Sequence, residues 1–188
     1  MKKKIDNFVS SVANTVFKEH VSADLLTLFT FIFGIIAGWF FFYGRTFLGG
    51  ITILISGFFD TMDGAVARKQ GSTTKFGAFW DSTLDRYSEL FIYGGILLFF
   101  TKTSNTFGTT FTYLTIIGAT LTSYTRARAE GLNIDCKVGI LTRAPRVIIL
   151  IIGSMLGFLI QAMFIVAILS NITAIQRIWH VFSVTRKS

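Results

Sequence analysis

Four carboxylates, Asp60, Asp63, Asp81 and Asp85, lie within a stretch of 26 residues, and apolar runs rich in Ile, Leu, Phe and Gly flank this stretch on both sides. Charged side chains are costly in such apolar surroundings and mark functional sites by default. The first two are three residues apart and the last two are four residues apart, so each pair lies on one face of a helix. Two helices facing each other would bring the four carboxylates together, and hard cations would then compensate their repulsion.

This arrangement is typical of a site for two divalent metal ions. Mg²⁺ and Mn²⁺ prefer carboxylate oxygens and leave coordination positions for phosphates. Two such ions can hold a pyrophosphate and stabilise a leaving phosphate. Gly64, Ala67 and Gly77 carry little bulk beside the acids, which lets a ligand or another backbone approach closely. Arg68 is placed to pair with a phosphate.

Other interpretations of the same residues stay open. Small residues such as Gly64 and Ala67 at helical spacing often serve helix packing alone. The aspartates are also compatible with structural ion pairs to Arg68 and Arg86, or with the cation path of a small transporter. A transporter needs polar residues at several depths. These acids cluster at one end of the predicted helices, which favours an enzyme.

The composition of the chain indicates a membrane protein of one domain. Its 188 residues are 52% hydrophobic and include 21 Phe but one Pro, and the mean hydropathy is +0.61. Such values are membrane-like. The single Cys136 excludes an internal disulfide and a cysteine-based metal site. Nucleic acid is not expected as a partner, because the sequence contains no nucleic-acid-binding motif.

The apolar periodicity predicts an all-α integral membrane protein. Residues 1–20 are expected to form an amphipathic juxtamembrane helix at the bilayer interface, and residues 21–188 a domain of six transmembrane helices. Each span needs about 20 residues. We divide the last long apolar run into two spans joined by a turn at Gly157. The six segments are 25–43, 47–67, 77–101, 108–129, 143–159 and 161–182.

The distribution of Lys and Arg predicts the orientation of these spans. With six spans, four basic clusters fall on one side of the membrane: 2–4, 68–75, 126–143 and 186–187. The opposite side has only Arg45 and Lys102 near its loops. Basic flanks mark the cytoplasmic side. We therefore expect a multi-pass protein of the cytoplasmic membrane, with the carboxylates and both termini facing the cytoplasm.

The complete acidic pattern resembles the signature of the CDP-alcohol phosphotransferases. That signature is D-x-x-D-G-x-x-A-R, eight residues, then G-x-x-x-D-x-x-x-D, and every fixed position is present between Asp60 and Asp85. The predicted interfacial helix and six spans are also similar to this family, so the resemblance covers essentially the whole chain. It implies a homodimer in the lipid bilayer.

The resemblance implies a reaction and a set of site residues. A CDP-linked lipid, either CDP-diacylglycerol or an ether lipid, is the donor; an alcohol attacks the phosphorus attached to the lipid, and CMP leaves. Two divalent cations, Mg²⁺ or Mn²⁺, are implied at Asp60, Asp63, Asp81 and Asp85. Asp85 is also the implied general base for the acceptor hydroxyl. The implied CDP site consists of Gly64, Ala67, Arg68 and Gly77.

Two further stretches resemble the branch of this family that uses inositol phosphate. The run from Asp81 to Ser88 is similar to its D-S-x-x-D-R-Y-S/D stretch, and the run from Ser123 to Glu130 is similar to its S-Y-x-R-A-R-A-E stretch. Arginines near a metal site suit an acceptor that is itself a phosphate ester. The expected acceptor-phosphate residues are Ser123, Arg126, Arg143, Arg146 and Arg177.

One departure from this branch keeps a second acceptor open. The branch commonly has E-R-x-E-R where this chain has T-R-A-P-R from Thr142 to Arg146, so both arginines are kept and both acids are lost. Glycerol 3-phosphate is therefore the alternative acceptor, although the Arg-Glu pair more often seen in the fourth span of such enzymes is absent. Glu89 continues the Asp81–Asp85 stripe by one turn, where it orients Asp85, binds a basic partner or forms a structural salt bridge.

Overall fold

The computed structural model describes residues 23–70 and 74–186, with the backbone alone in 23–24 and 63–70. The expected interfacial helix at residues 1–20 lies outside this part of the chain. The described residues form helices and no strands. In chain order, these helices are α1 (Ala23–Phe42), α2 (Thr46–Gln70), α3 (Lys75–Lys102), α4 (Thr106–Glu130), α5 (Arg143–Met155) and α6 (Leu159–Thr185).

These helices match the six apolar segments predicted from the sequence. The last apolar run is divided into two helices, as predicted, because α5 ends at Met155 and α6 begins at Leu159; that each of them spans the bilayer stays a prediction. Gly157 has a φ of +78° in the connecting turn, a conformation that glycine adopts without steric cost. The Phe158 N–H then donates to the Gly153 carbonyl at 2.7 Å, which closes the turn.

The start of α3 is fixed by a side-chain cap. The Thr74 Oγ1 accepts a hydrogen bond from the Gly77 N–H at 2.9 Å, which satisfies one of the orphan donors of the first turn. Asn105 caps α4 in the same way, since its Oδ1 accepts from the Gly108 N–H at 2.8 Å. The cap on α3 sets where Asp81 and Asp85 lie along the helix.

The helices pack in two groups. Helix α1 lies against α2 and α3, while α4 pairs with α6; α5 contacts α2 and α6, and α3 contacts α4. The shared core contains aromatic and aliphatic side chains from both groups, including Phe41, Tyr93, Ile96, Leu150 and Met163. This arrangement brings the ends of α2 and α4 and the beginnings of α3 and α5 to one end of the bundle.

Small residues allow two helix pairs to approach closely. A Cβ on Gly95 of α3 would overlap the carbonyl oxygen of Gly38 in α1. Between α4 and α6, hydroxyl groups donate to main-chain oxygens of the neighbouring helix: Thr115 to Met163 at 3.1 Å and Thr122 to Ser170 at 3.0 Å. Close backbone contact and interhelical hydrogen bonds are the usual means of helix association in a bilayer.

The outer surface of the bundle is apolar to an extent unusual for a soluble protein. Large hydrophobic side chains are exposed along every described helix, among them Ile32, Leu54, Leu98, Tyr113 and Ile175. Two helices are long and apolar enough to cross a membrane, judged by length and composition over the described residues: the spans Leu25–Phe42 and Leu159–Thr185. Exposed apolar surface on this scale favours contact with lipid.

The connection between α4 and α5 is held against α6. The Leu141 N–H donates to the Thr173 Oγ1 at 2.9 Å, and the Ile140 N–H donates to the Gln176 Oε1 at 3.1 Å. Gly139 has a φ of +131°, and a Cβ at this position would overlap the Thr173 side chain. This connection fixes where α5 begins and therefore where Arg143 enters the site.

Candidate active site

Three of the four predicted aspartates meet at one end of the bundle. Asp60 comes from α2, and Asp81 and Asp85 come from successive turns of α3. A carboxylate oxygen from each lies within 4.8 Å of the others. The prediction that two helices bring these acids together is confirmed for Asp60, Asp81 and Asp85.

Arg143, the first residue of α5, joins two of these acids. Its Nη1 donates to the Asp60 Oδ1 at 3.1 Å, its Nη2 donates to the Asp85 Oδ1 at 2.6 Å, and Nη1 also pairs with the Asp85 Oδ2. Bonds between a guanidinium and carboxylates are among the stronger polar contacts in proteins. Arg143 thus supplies positive charge directly to the acidic cluster.

A buried ion pair lies one helical turn beyond Asp85. Arg146 is fully buried, and its Nε and Nη2 donate to the Glu89 Oε1 at 3.2 and 2.8 Å. The Arg146 Nη1 is buried without a hydrogen-bond partner in the described structure. A buried guanidinium needs its counter-charge, because its removal from water is costly.

Arg86 connects this ion pair to Asp85 and to α4. Its Nη1 lies 3.0 Å from the Glu89 Oε2, and its Nη2 lies 3.9 Å from the Asp85 Oδ2. The same Nη1 donates a hydrogen bond to the Ser123 Oγ, and that hydroxyl donates onward to the Ala119 carbonyl at 3.1 Å. Ser123, a predicted acceptor-binding residue, is therefore linked to the acidic helix through Arg86.

Two other predicted acceptor residues make their described contacts away from the acidic cluster. Arg126 pairs with Glu130 at 2.8 Å on the exposed end of α4. The buried Arg177 donates through Nε to the Val138 carbonyl at 2.9 Å and through Nη1 to the Thr122 carbonyl at 2.5 Å. Arg177 therefore ties the α4–α5 connection to α6, and its role towards an acceptor stays a prediction.

For most of the remaining residues of the predicted metal and CDP site, the structure describes the backbone alone. The helix α2 continues through Gln70, but the side chains of its last eight residues lie outside the description. These include Asp63, Gly64, Ala67 and Arg68. Gly77 lies in the first turn of α3, where its N–H is bonded to Thr74. The roles predicted for these five residues stay predictions.

The donor set at the cluster fits a hard divalent cation. All three groups offer carboxylate oxygens, which Mg²⁺ and Mn²⁺ prefer, and they converge closely enough to share an ion. The guanidinium of Arg143 already bonds to two of them, which shows that the cluster attracts positive charge. The side of the cluster at Asp60 is partly exposed, whereas Asp85 is buried.

Arg86 was not among the predicted site residues, although the sequence analysis named it as a possible ion-pair partner of the aspartates, and the structure places it 3.9 Å from Asp85. It stands beside Asp85 and three residues before Glu89, so the helical spacing of these charges was the available signal. The expectation for Glu89 included a structural salt bridge, and the structure shows two, to Arg86 and Arg146.

Comparison with known proteins defines the class of this chain. The sequence model of the CDP-alcohol phosphatidyltransferase family matches residues 20–181. The chain belongs to this family of membrane enzymes, which confirms the resemblance seen in the acidic signature.

Two relatives show which members of the family this chain is similar to. It is 36% identical over 184 residues to an archaetidylinositol phosphate synthase of Methanothermobacter thermautotrophicus, covering 95% of this chain and 90% of that protein. It is also 32% identical over 147 residues to a phosphatidylinositol phosphate synthase of Cutibacterium acnes, covering 77% and 71%.

Solved structures of a third relative have the same fold. The phosphatidylinositol phosphate synthase of Mycobacterium tuberculosis with CDP-DAG bound superposes with a TM-score of 0.85 and 26% identity, over 94% of each chain. The same enzyme in complex with manganese and citrate gives a TM-score of 0.85, over 93% of this chain and 88% of that chain.

Proposed function

We propose that this protein transfers a phosphatidyl-type group from a CDP-linked lipid to inositol phosphate and releases CMP. The observation that carries the proposal is the convergence of Asp60, Asp81 and Asp85 within 4.8 Å, beside arginines from α5. Carboxylates can hold cations for a pyrophosphate, and arginines suit a phosphorylated acceptor. Relatives named for the synthesis of inositol phosphate lipids support this acceptor.

The cluster would hold two divalent cations through Asp60, Asp81 and Asp85, together with Asp63 on the next turn of α2. Bound there, Mg²⁺ or Mn²⁺ supplies charge neutralisation for the pyrophosphate and makes its phosphorus more electrophilic. The donor lipid's CDP group would lie along Gly64, Ala67 and Gly77, which carry little side-chain bulk, and Arg68 would pair with one of its phosphates. A manganese complex and a CDP-DAG complex of the mycobacterial relative support these assignments.

Asp85 would act as the general base. In this step it takes the proton of the acceptor hydroxyl, whose oxygen forms a bond to the phosphorus that carries the lipid. The phosphorus–oxygen bond to CMP breaks, and CMP leaves with its electron pair. Asp85 is buried and bonded to Arg143, so its carboxylate is held at a fixed place. Such positioning is most of what phosphoryl transfer asks of a protein.

Arg143 would have two positions in this scheme. It bonds to Asp60 and Asp85 in the structure, and its guanidinium would turn to the acceptor's phosphate once cations neutralise those carboxylates. Arg146, three residues further along α5, would present a second guanidinium from the same side. Ser123, Arg126 and Arg177 complete the proposed acceptor site.

The proposal also covers the membrane location, the orientation and the oligomeric state of the enzyme. All six helices would span the cytoplasmic membrane, with the acidic end and both termini in the cytoplasm, as the positive flanks indicate. Residues 1–20 would lie along the membrane surface as an amphipathic helix. The enzyme would act as a homodimer.

Glycerol 3-phosphate is the second candidate acceptor. It is favoured by the loss of two acids beside Arg143 and Arg146, where Thr142 and Pro145 stand in this chain. The cation-transporter alternative is weakened by membership of an enzyme family, and by the confinement of the acidic cluster to one end of the bundle.

An acceptor panel tests the proposal. The purified protein, in liposomes with CDP-diacylglycerol and Mg²⁺ or Mn²⁺, would receive inositol 1-phosphate, glycerol 3-phosphate, free inositol or serine, and CMP release would be measured. We expect release with inositol 1-phosphate and no release in EDTA. Release with glycerol 3-phosphate alone would keep the reaction and replace the acceptor. A CDP-linked ether lipid in parallel assays would identify the preferred donor.

A further inference from the structure

Glu89 stands at the centre of the charged groups outside the acidic cluster. Each of its carboxylate oxygens holds a different arginine: Oε1 accepts from Arg146 at 2.8 Å, and Oε2 pairs with Arg86 at 3.0 Å. The side chain is almost completely buried. One carboxylate thereby sets the orientation of two guanidinium groups that come from different helices.

The two arginines lead from Glu89 to different parts of the site. Arg86 reaches the Asp85 carboxylate at 3.9 Å and donates to the Ser123 hydroxyl. Arg146 lies on α5 three residues after Arg143, and its Nη1 is buried without a partner in the described structure. A buried donor without a partner is costly, and an oxygen of a bound acceptor would satisfy it.

We infer that Glu89 is a positioning residue for the phosphorylated acceptor, acting through Arg146 and through the link from Arg86 to Ser123. This inference rests on the proposed function and adds a residue that neither the acidic signature nor the acceptor set contains. In this role the Glu89 carboxylate would act through its two arginines and would not contact the substrate itself. It holds Arg146 with Nη1 unpaired and keeps Arg86 between Asp85 and Ser123.

The first test compares how one substitution changes the KM for each of the two substrates. Glu89→Gln removes the charge that orients both arginines, so the KM for the phosphorylated acceptor should rise by about tenfold or more. The KM for the CDP-linked lipid should stay within about twofold, because the CDP site lies on α2 and the first turn of α3. Equal changes in both KM values, or a loss of folded protein with unchanged KM values, would overturn the inference.

A matched control removes a carboxylate from an exposed ion pair. Asp135 bonds to Lys137 at 2.7 Å in the connection between α4 and α5. That hydrogen bond lowers the pKa of the Asp135 carboxyl, so the group is charged at neutral pH and Asp135→Asn also removes one negative charge. This control should leave both KM values unchanged. An equal rise of the acceptor KM in the control would attribute the effect to net charge and contradict the inference.

A double-mutant cycle tests whether Glu89 acts on Ser123 through Arg86. If it does, Ser123→Ala should raise the KM for the phosphorylated acceptor much less in the Glu89→Gln background than in the wild type. If the KM of the double variant equals the product of the two separate fold-changes, the two residues act independently and this link is contradicted. Should Glu89→Gln fail to fold, Glu89→Asp takes its place. This variant keeps the charge that Arg146 needs, but its side chain is one methylene shorter and should no longer hold both arginines in place. We expect the same rise in the acceptor KM alone and the same smaller effect of Ser123→Ala.

Failure of the proposed function can be told apart from failure of this inference. The wild type is assayed with both phosphorylated acceptors, and the KM of whichever one supports CMP release is followed in the variants. If neither supports release, the proposed function fails. Melting temperatures then test only the ion pair on which the inference depends: the losses from Glu89→Gln and Arg86→Gln should overlap because these residues share it. Additive losses would show that the two side chains are not coupled and would remove the basis of the inference.

Discussion

At the scale of single residues, Arg143 has the contacts that most directly affect cation binding. It donates to Asp60 at 3.1 Å and to Asp85 at 2.6 Å, so it supplies positive charge to the oxygens that a divalent ion would use. Hydrogen bonds to charged groups contribute about 1.5–3 kcal/mol each. A cation that enters the cluster must compete with this guanidinium.

We therefore expect Arg143→Gln to bind Mn²⁺ about tenfold more tightly than the wild type. A titration with Mn²⁺ in the absence of substrate checks this, with the concentration of free Mn²⁺ measured by electron paramagnetic resonance. Arg45→Gln is the matched control, since Arg45 is exposed at the turn between α1 and α2. Unchanged or weaker Mn²⁺ binding in Arg143→Gln would show that the arginine supports the cluster instead of competing for it.

Asp85→Asn should abolish turnover while the protein still folds. Asparagine has almost the same shape but cannot take a proton from the acceptor, and loss of a general base lowers rates by about 10²–10⁴-fold. CMP release is compared with the wild type at saturating substrates, and thermal unfolding in detergent reports the folded state. Full activity in this variant would remove Asp85 from its proposed role.

The acidic pairs could be recognised from their spacing, but the contacts of the distant arginine Arg143 could not. Helical periodicity places Asp81 and Asp85 on one face whatever the tertiary structure is. The contacts of Arg143 with Asp60 and Asp85 join residues 83 and 58 positions apart, and they depend on how α5 approaches α2 and α3. The contacts of Arg177 could not be predicted for the same reason, because it donates to main-chain carbonyls of two distant segments.

At the scale of the helices, the contact between α1 and α3 depends on glycine. A Cβ on Gly95 would overlap the Gly38 carbonyl, whereas a Cβ on the adjacent Gly94 would meet nothing within 4 Å. We expect Gly95→Ala to destabilise the protein by about 1–3 kcal/mol, the usual cost of overpacking. Thermal unfolding in a mild detergent measures the change.

Gly94→Ala provides the control for this prediction in the same helix. Alanine is the better helix former by about 1 kcal/mol, so this variant should be as stable as the wild type or slightly more stable. Equal stability of the Gly94 and Gly95 variants would mean that α1 and α3 do not make the close backbone contact seen here.

The elements themselves were largely predictable, and their pairing was not. Apolar segments bounded by polar turns gave all six described helices within a few residues, and Gly157 marked the division between the last two. The pairing of α4 with α6 has no such local signal. It depends on hydroxyl groups such as Thr115 and Thr122 that reach carbonyl groups 48 residues away, a contact that a sequence pattern of period 3.6 does not specify.

At the scale of the whole molecule, the six-span proposal predicts opposite sides for two lysines. Lys102 ends α3, and Lys137 lies between α4 and α5. In a Cys136→Ala background, which removes the single cysteine, Lys102→Cys should react with a membrane-impermeant maleimide in intact cells. Lys137→Cys should react only after the cells are opened. Labelling of both in intact cells would contradict the proposed orientation.

Transfer of a labelled acceptor into lipid tests the central claim most directly. Purified protein in liposomes with CDP-diacylglycerol would receive radiolabelled inositol 1-phosphate, and label in the lipid phase would be counted against CMP released. The account predicts one labelled lipid for each CMP, complete loss of both in EDTA, and recovery with Mn²⁺ or Mg²⁺. CMP release without label in lipid, or transfer that persists in EDTA, would contradict it.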